Sequence, residues 1–259
     1  MGVALVTVYL DCSTGVSGDM LLASLSHLLE EARGKGCGFD FLDEELSRLG
    51  LKGYRLQWEQ KKIGGIQTWH VEVEQTHEQP LRTYTALMGI ISKSGVSGRA
   101  EAWSKRALTL LGEAEAKVHG VDLDEVHFHE IGAVDTIVDI VGSMVLLDAL
   151  QAESVVVSPI DLGSGFVHCA HGKMSVPAPA CAELAKQLVT FGSDCGMERA
   201  TPTGLAILRS VVEKCGSMPM GRVLGTGYGS GGRSSDDQPT YVRAIGLESV
   251  AEKLPKRGH

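Results

Sequence analysis

The densest run of chemistry-bearing side chains is His127-Phe128-His129-Glu130-Ile131-Gly132-Ala133-Val134-Asp135-Thr136-Ile137-Val138-Asp139. In an extended segment, residues two apart point the same way, so His127 and His129 can aim both imidazoles at one point. On a helix, residues four apart share a face, which aligns the carboxylates of Asp135 and Asp139. The residues between and after them (Ile137, Val138, Ile140, Val141, Met144, Val145, Leu146, Leu147) are apolar nearly all round, the pattern of a buried helix. Two carboxylates on such a helix are costly unless a cation or strong donors neutralise them. Gly142 continues their face and permits a close approach. Imidazole and carboxylate together suit nickel, zinc, manganese or ferrous iron. The blander alternative is that Asp135 caps the helix and the histidines face solvent.

Three further segments invite a chemical reading. Asp11-Cys12-Ser13-Thr14-Gly15-Val16-Ser17-Gly18-Asp19 joins a strand end to a helix start. Free amides at a helix start, with Ser13, Ser17 and Gly18 before it, suit an anion, and Asp11 and Asp19 could hold a divalent cation against a phosphate. It is neither a Walker loop nor a GxGxxG loop, and caps are commoner than sites. Gly163-Ser164-Gly165-Phe166-Val167-His168-Cys169-Ala170-His171-Gly172 brackets two histidines with glycine, as a second ligand set, a nucleotide-contacting loop or a plain hairpin. Gly225-Thr226-Gly227-Tyr228-Gly229-Ser230-Gly231-Gly232-Arg233 could hold a phosphate through amides and Arg233, although a flexible turn is the commoner reading. His119, at a helix end, fits a dipole cap, and the single His27, His70 and His77 read as structural or solvated.

The elements that must position these groups follow from periodicity. A β-branched apolar run predicts a buried strand over 3–10. Helices are expected over about 19–31, 40–48 and 82–92, at 99–119 ending on Gly120, and over 135–150, 178–188 and 203–214. The last has Thr201 as cap and Pro202 just inside its start. Alternation over 54–61 and 66–75 around Gly64-Gly65 signals a hairpin. Strands are expected at 154–158, 222–228 and 240–246, with a Gly/His loop running from the first of these to Pro179. The mixture points to an α/β or α+β fold with a mixed sheet, packed helices and one main core over 1–247. A polar tail occupies 248–259, and strand order does not follow from the pattern.

Composition bounds the partners. The 259 residues are 43% apolar, enough for a proper core, and carry a formal net charge of -8. An acidic chain is poorly suited to nucleic acid or an anionic membrane, so neither is an expected partner. Six scattered cysteines without a CxxC pair, and a start lacking a basic region and cleavage site, lead us to expect free thiols and a cytoplasmic location.

Seven segments stand out together: Tyr9-Leu10-Asp11-Cys12-Ser13-Thr14-Gly15-Val16-Ser17-Gly18-Asp19-Met20, 114–120 (AEAKVHG), 126–135 (VHFHEIGAVD), 162–167 (LGSGFV), Ala170-His171-Gly172, 177–180 (PAPA) and Thr201-Pro202-Thr203-Gly204. In these segments the chain resembles the LarC-type nickel-insertion proteins. The resemblance runs in order from residue 6 to about 246. It implies insertion of nickel into a pyridinium bisthiocarboxylic acid mononucleotide, giving the nickel-pincer cofactor of lactate racemase-type enzymes. It also implies CTP and a divalent ion, manganese or magnesium. On this reading His127, His129, Asp135 and Asp139, then His168 and His171, bind metal. Glu130, Asp135 or Asp139 removes the ring C–H proton, and Asp11, Ser13, Ser17, Gly18, Asp19 and Arg233 hold the mononucleotide phosphate.

The chain departs from the family in two places. The family's histidine-rich tract is reduced here to Glu74-Gln75-Thr76-His77-Glu78-Gln79-Pro80. The family usually continues into a C-terminal domain, to which CTP binding is attributed; this sequence is expected to be the N-terminal part of a split or truncated protein or a stand-alone relative, with a separate C-terminal domain as one expected partner. The enzyme receiving the cofactor is a further expected partner. Two other readings stay open: a metal-dependent nucleotide phosphohydrolase or nucleotidyltransferase using the same carboxylates, and a nickel carrier that only binds and delivers.

Overall fold

A computed structural model describes residues 6–77, 82–126, 133–169, 172–232 and 237–249, the side chains of Ala133 and Cys169 excepted. In chain order the elements are β1 (Val6–Asp11), α1 (Gly18–Arg33), α2 (Phe39–Ser47), β2 (Tyr54–Ile63), β3 (Ile66–Gln75), α3 (Tyr84–Lys93), α4 (Gly98–His119), α5 (Ala133–Ala149) and β4 (Ala152–Val157). There follow β5 (Ile160–Asp161), β6 (Phe166–Cys169), β7 (Gly172–Ser175), α6 (Pro179–Leu184), β8 (Thr190–Phe191), α7 (Pro202–Val211), β9 (Lys214–Cys215), β10 (Arg222–Ser230) and β11 (Tyr241–Glu248). Seven strands form one mixed sheet in the order β2-β3-β10-β11-β1-β4-β9. β1 lies at its heart, antiparallel to β11 and parallel to β4. Helices packed on a mixed sheet make this an α/β fold.

Local chemistry explains the helix limits. Thr83, Ser97 and Thr201 each cap a helix by accepting a backbone N–H, at Ala86, Ala100 and Gly204. Gly120 ends α4 in the left-handed conformation that glycine adopts without strain. Leu21, Leu22, Leu25 and Leu28 of α1 are fully buried. Burying each such side chain contributes about 1.5–3 kcal/mol. α5 touches α1, α2, α3, α4, α7 and the sheet, which accounts for its apolar character on nearly every side. The close approach at Gly142 is made by the Leu22 and Leu42 side chains, so this glycine serves helix packing.

The glycine run at 225–229 is part of a strand, and neither a flexible turn nor a free loop. Gly225, Gly227 and Gly229 sit on alternate positions of β10, on the face that α1 covers. A methyl group at Gly227 would overlap the Ser24 carbonyl, and one at Gly229 the Met20 carbonyl. The alternation gives a side-chain-free strip on which helix backbone rests directly on strand backbone. The segment read as a loop before Pro179 likewise contains structure: β6 and β7 form an antiparallel hairpin, and β5 pairs with β8.

Candidate functional site

A cleft of about 910 Å³ opens where the first turns of three helices meet. Ser17, Gly18 and Asp19 belong to the start of α1, Asp135 and Thr136 to α5, and Thr201, Pro202 and Thr203 to α7. Gly204 lets α7 approach the 16–17 backbone so closely that a methyl group there would meet Val16 and Ser17 within 3.0 Å. The other walls are β3 through His70, the end of α4 through Glu115 and His119, and the β6–β7 hairpin through Val167, His168 and Met174. Helix N-termini carry unsatisfied amides and partial positive charge, so this end of the cleft favours anions and carboxylates.

Three carboxylates occupy that end. Asp19 accepts hydrogen bonds from the Ser17 hydroxyl, from the Met20 amide at 2.9 Å and from the Gly232 amide at 3.3 Å. Asp135 accepts from the Thr136 amide at 2.9 Å. Burial pushes the Asp135 carboxyl up, opposed by those backbone hydrogen bonds and reinforced by Asp19. Asp139 is only 9% exposed, and its Oδ1 has no hydrogen-bond partner among the described residues. Burial first, then the charges of Asp19 and Asp135, hold its carboxyl well above the usual carboxylate range. Its other oxygen sits in a notch that only glycine leaves open, since a methyl group at Gly18 would overlap it. An acid buried without donors beside two others is a place where a cation lowers the energy. Among the described residues, no three His, Cys, Asp or Glu side chains by themselves form a group that could hold a metal ion.

The cleft brings together Ser17, Gly18, Asp19, Asp135, Asp139 and His168 of the residues singled out by sequence. Asp11 and Ser13 are not among its lining residues. Asp11 pairs with Arg243 at 2.6 Å and accepts from the Ser13 hydroxyl at 2.7 Å. Burial would raise its carboxyl, but Ser13 and Arg243 together bring it below its ordinary value. His127, His129, Glu130, His171 and Arg233 lie outside the described residues. His119 lines the cleft beside Glu115, at 3.4 Å, as well as ending its helix.

His70, expected to be structural or solvated, takes the structural role: it is a buried wall of the cleft whose Nδ1 lies 2.9 Å from the Ser230 carbonyl. Its partner is 160 residues away, so spacing gave no signal; only the alternation of β3 hinted at which residues share its face.

With this geometry in view, comparison with known proteins is informative. The profile of the family described as "Nickel insertion protein" matches residues 8–257. Relatives named "Putative nickel insertion protein" include that of Geotalea uraniireducens strain Rf4, 42% identical over 246 residues. That alignment covers 94% of this chain and 61% of the relative. The one from Geotalea daltonii is 40% identical over 96% of this chain and 62% of its own length. The one from Desulfotalea psychrophila is 37% identical over 91% of this chain and 59% of its own length. The chain belongs to the nickel insertion protein family. It spans about three fifths of the length of these curated relatives. No solved structure matches it.

Proposed function

We propose that this chain carries the metal and mononucleotide site of a nickel-inserting cyclometallase, with nickel and a pyridinium bisthiocarboxylic acid mononucleotide as its substrates. One observation carries the reading: Asp139, buried, with an unpartnered oxygen, stands where the first turns of α1, α5 and α7 meet. The helix termini attract the nucleotide phosphate, and the carboxylates attract the cation. Bonding nickel to a ring carbon displaces that carbon's proton, so a base must receive it. Asp135 and Asp139 are two candidates for that base, and their raised proton affinity supports the assignment. Glu130 is the third candidate. Nickel draws its remaining ligands from the two thiocarboxylate sulfurs of the substrate and from imidazole, for which His127, His129, His168 and His171 are the candidates.

A manganese or magnesium ion at the acid end would neutralise phosphate charge, taking phosphate oxygens as ligands beside the unpartnered carboxylate oxygen of Asp139. CTP dependence and a separate domain or recipient enzyme as partner belong to this reading too.

The experiment incubates purified chain with nickel and the nickel-free precursor, with and without CTP and manganese, and examines the product by mass spectrometry. The reading expects a product heavier by nickel less the displaced protons. Nickel bound in stoichiometric amount with the precursor unchanged would leave a carrier. The convergence of helix N-termini on carboxylates equally favours a phosphohydrolase, for which nucleotide turnover without nickel is the expected result.

A further inference from the structure

The cleft is short of positive charge. Asp19, Glu72, Glu115, Asp135, Asp139 and Glu198 all line it, and among its described lining residues Lys61 is the one lysine or arginine. Two arginines elsewhere in the fold are committed to other partners. Arg199 is held by Asp161 at 3.5 Å and by the Thr14 and Pro239 carbonyls, and Arg243 by Asp11 at 2.6 Å. The proposed mononucleotide carries a phosphate and two thiocarboxylates against one ring cation, so it enters a cleft of its own sign. Each of its anionic groups needs a donor or a cation there.

Lys61 stands on β2 opposite Thr68 of β3. Side chains two apart on a strand share a face, so Lys61 lies on the side of the hairpin that carries Thr68 and His70, the latter a wall of the cleft. Its Nζ is 3.4 Å from Glu59, a carboxylate whose side chain is 64% exposed. An ion pair so open to water contributes little, and the ammonium can leave it for a ligand. The first turns of α1, α5 and α7 form a different part of the lining, where helix amides suit the phosphate. With the phosphate held there, the anion left for Lys61 is on the ring.

We propose that Lys61 is a specificity-determining residue of the cleft, pairing with an acid substituent of the pyridinium ring, carboxylate or thiocarboxylate, and favouring it over the neutral amide. A lysine ammonium bonded to a carboxylate makes a charge-assisted hydrogen bond, roughly twice as strong as one to a neutral acceptor. This rests on the reading of the cleft as a pyridinium mononucleotide site.

Two probes isolate that charge. Nicotinic acid mononucleotide and nicotinamide mononucleotide share phosphate, ribose and ring cation, and differ in a ring carboxylate against an amide. Their affinities for the purified chain are measured by calorimetry in the wild type, Lys61→Gln and Lys61→Arg. The wild type should bind the acid about ten-fold more tightly than the amide. Lys61→Gln should bind the two alike by losing affinity for the acid, and Lys61→Arg, which keeps the charge, should retain the preference. A preference that survives in Lys61→Gln, or no preference in the wild type, overturns the proposal. So does an equal loss of both ligands in Lys61→Gln, which would put Lys61 at the phosphate. Binding of neither ligand by the wild type overturns the mononucleotide reading of the cleft itself, and the role of Lys61 with it.

Discussion

At the scale of single residues, the account turns on a carboxyl that the fold makes expensive to ionise. The folded protein holds Asp139 well above the ordinary value of 3.8, so the folded state binds the proton more tightly than the unfolded chain does. Such a group contributes stability that is full below the unfolded value and is lost as pH rises toward the raised folded one. Asp135 acts in the same direction, whereas Asp11, lowered by its partners, loses its contribution only as pH falls below 3.8. In chelator, then, Asp139→Asn should melt above the wild type at about pH 8 and close to it at about pH 4, because the variant cannot ionise. Melts across that range check this; a variant less stable than wild type at every pH would mean that the carboxylate has hidden donors. Gly18→Ala should act through the same carboxylate. The added methyl group overlaps it, so the variant should be destabilised by about 1–3 kcal/mol and should bind nickel more weakly. A melt and a nickel titration together read both effects.

Among the elements, the rest of α1 depends on a glycine pattern in a strand it touches. Gly227→Ala drives a methyl group into the Ser24 carbonyl, where backbone on both sides prevents relief. Gly225→Ala, two residues earlier on the same face, meets nothing nearer than 3.4 Å, an ordinary contact. The first should cost about 1–3 kcal/mol or more, lowering the melting temperature by several degrees, and the second should be nearly silent. Equal effects would show that α1 does not rest on β10 as described.

The contrast shows what was legible in the sequence. Helices α1 to α7 and the β2–β3 hairpin announce themselves through local periodicity and caps, and their limits fall within a few residues of expectation. β10 was expected over 222–228 and runs Arg222–Ser230, but the role of its alternate glycines was hidden, because only the contact with α1 explains them. Asp139 was legible because a carboxylate in an apolar helix is conspicuous by itself. The partners of His70 and Asp11 were not, since Ser230 and Arg243 lie 160 and 232 residues away. Partners so far apart in the chain leave no mark in local spacing.

For the molecule as a whole, the described residues include no helix long and apolar enough to cross a membrane. Cys12, Cys37, Cys181, Cys195 and Cys215, the five cysteines with described side chains, are free. Burial pushes Cys12 and Cys181 well up, which makes them inert. Burial would raise Cys195 too, but hydrogen bonds with Ser193, the Met197 backbone and Arg199 outweigh it and bring the thiol to about 7. Thiol reagent at neutral pH should therefore show one fast phase, absent in Cys195→Ser. Under denaturing, non-reducing conditions all six cysteines of the sequence should titrate. A count below six would place a disulfide in the native chain.

The central claim is that nickel enters the cleft at the meeting of α1, α5 and α7. Crystals of the chain soaked in nickel and measured at the nickel absorption edge locate the ion directly. The account predicts an anomalous peak in the cleft beside Asp139, the carboxylate with an unpartnered oxygen. A strong peak elsewhere on the molecule with this cleft empty, in crystals whose cleft is open to solvent, would contradict it.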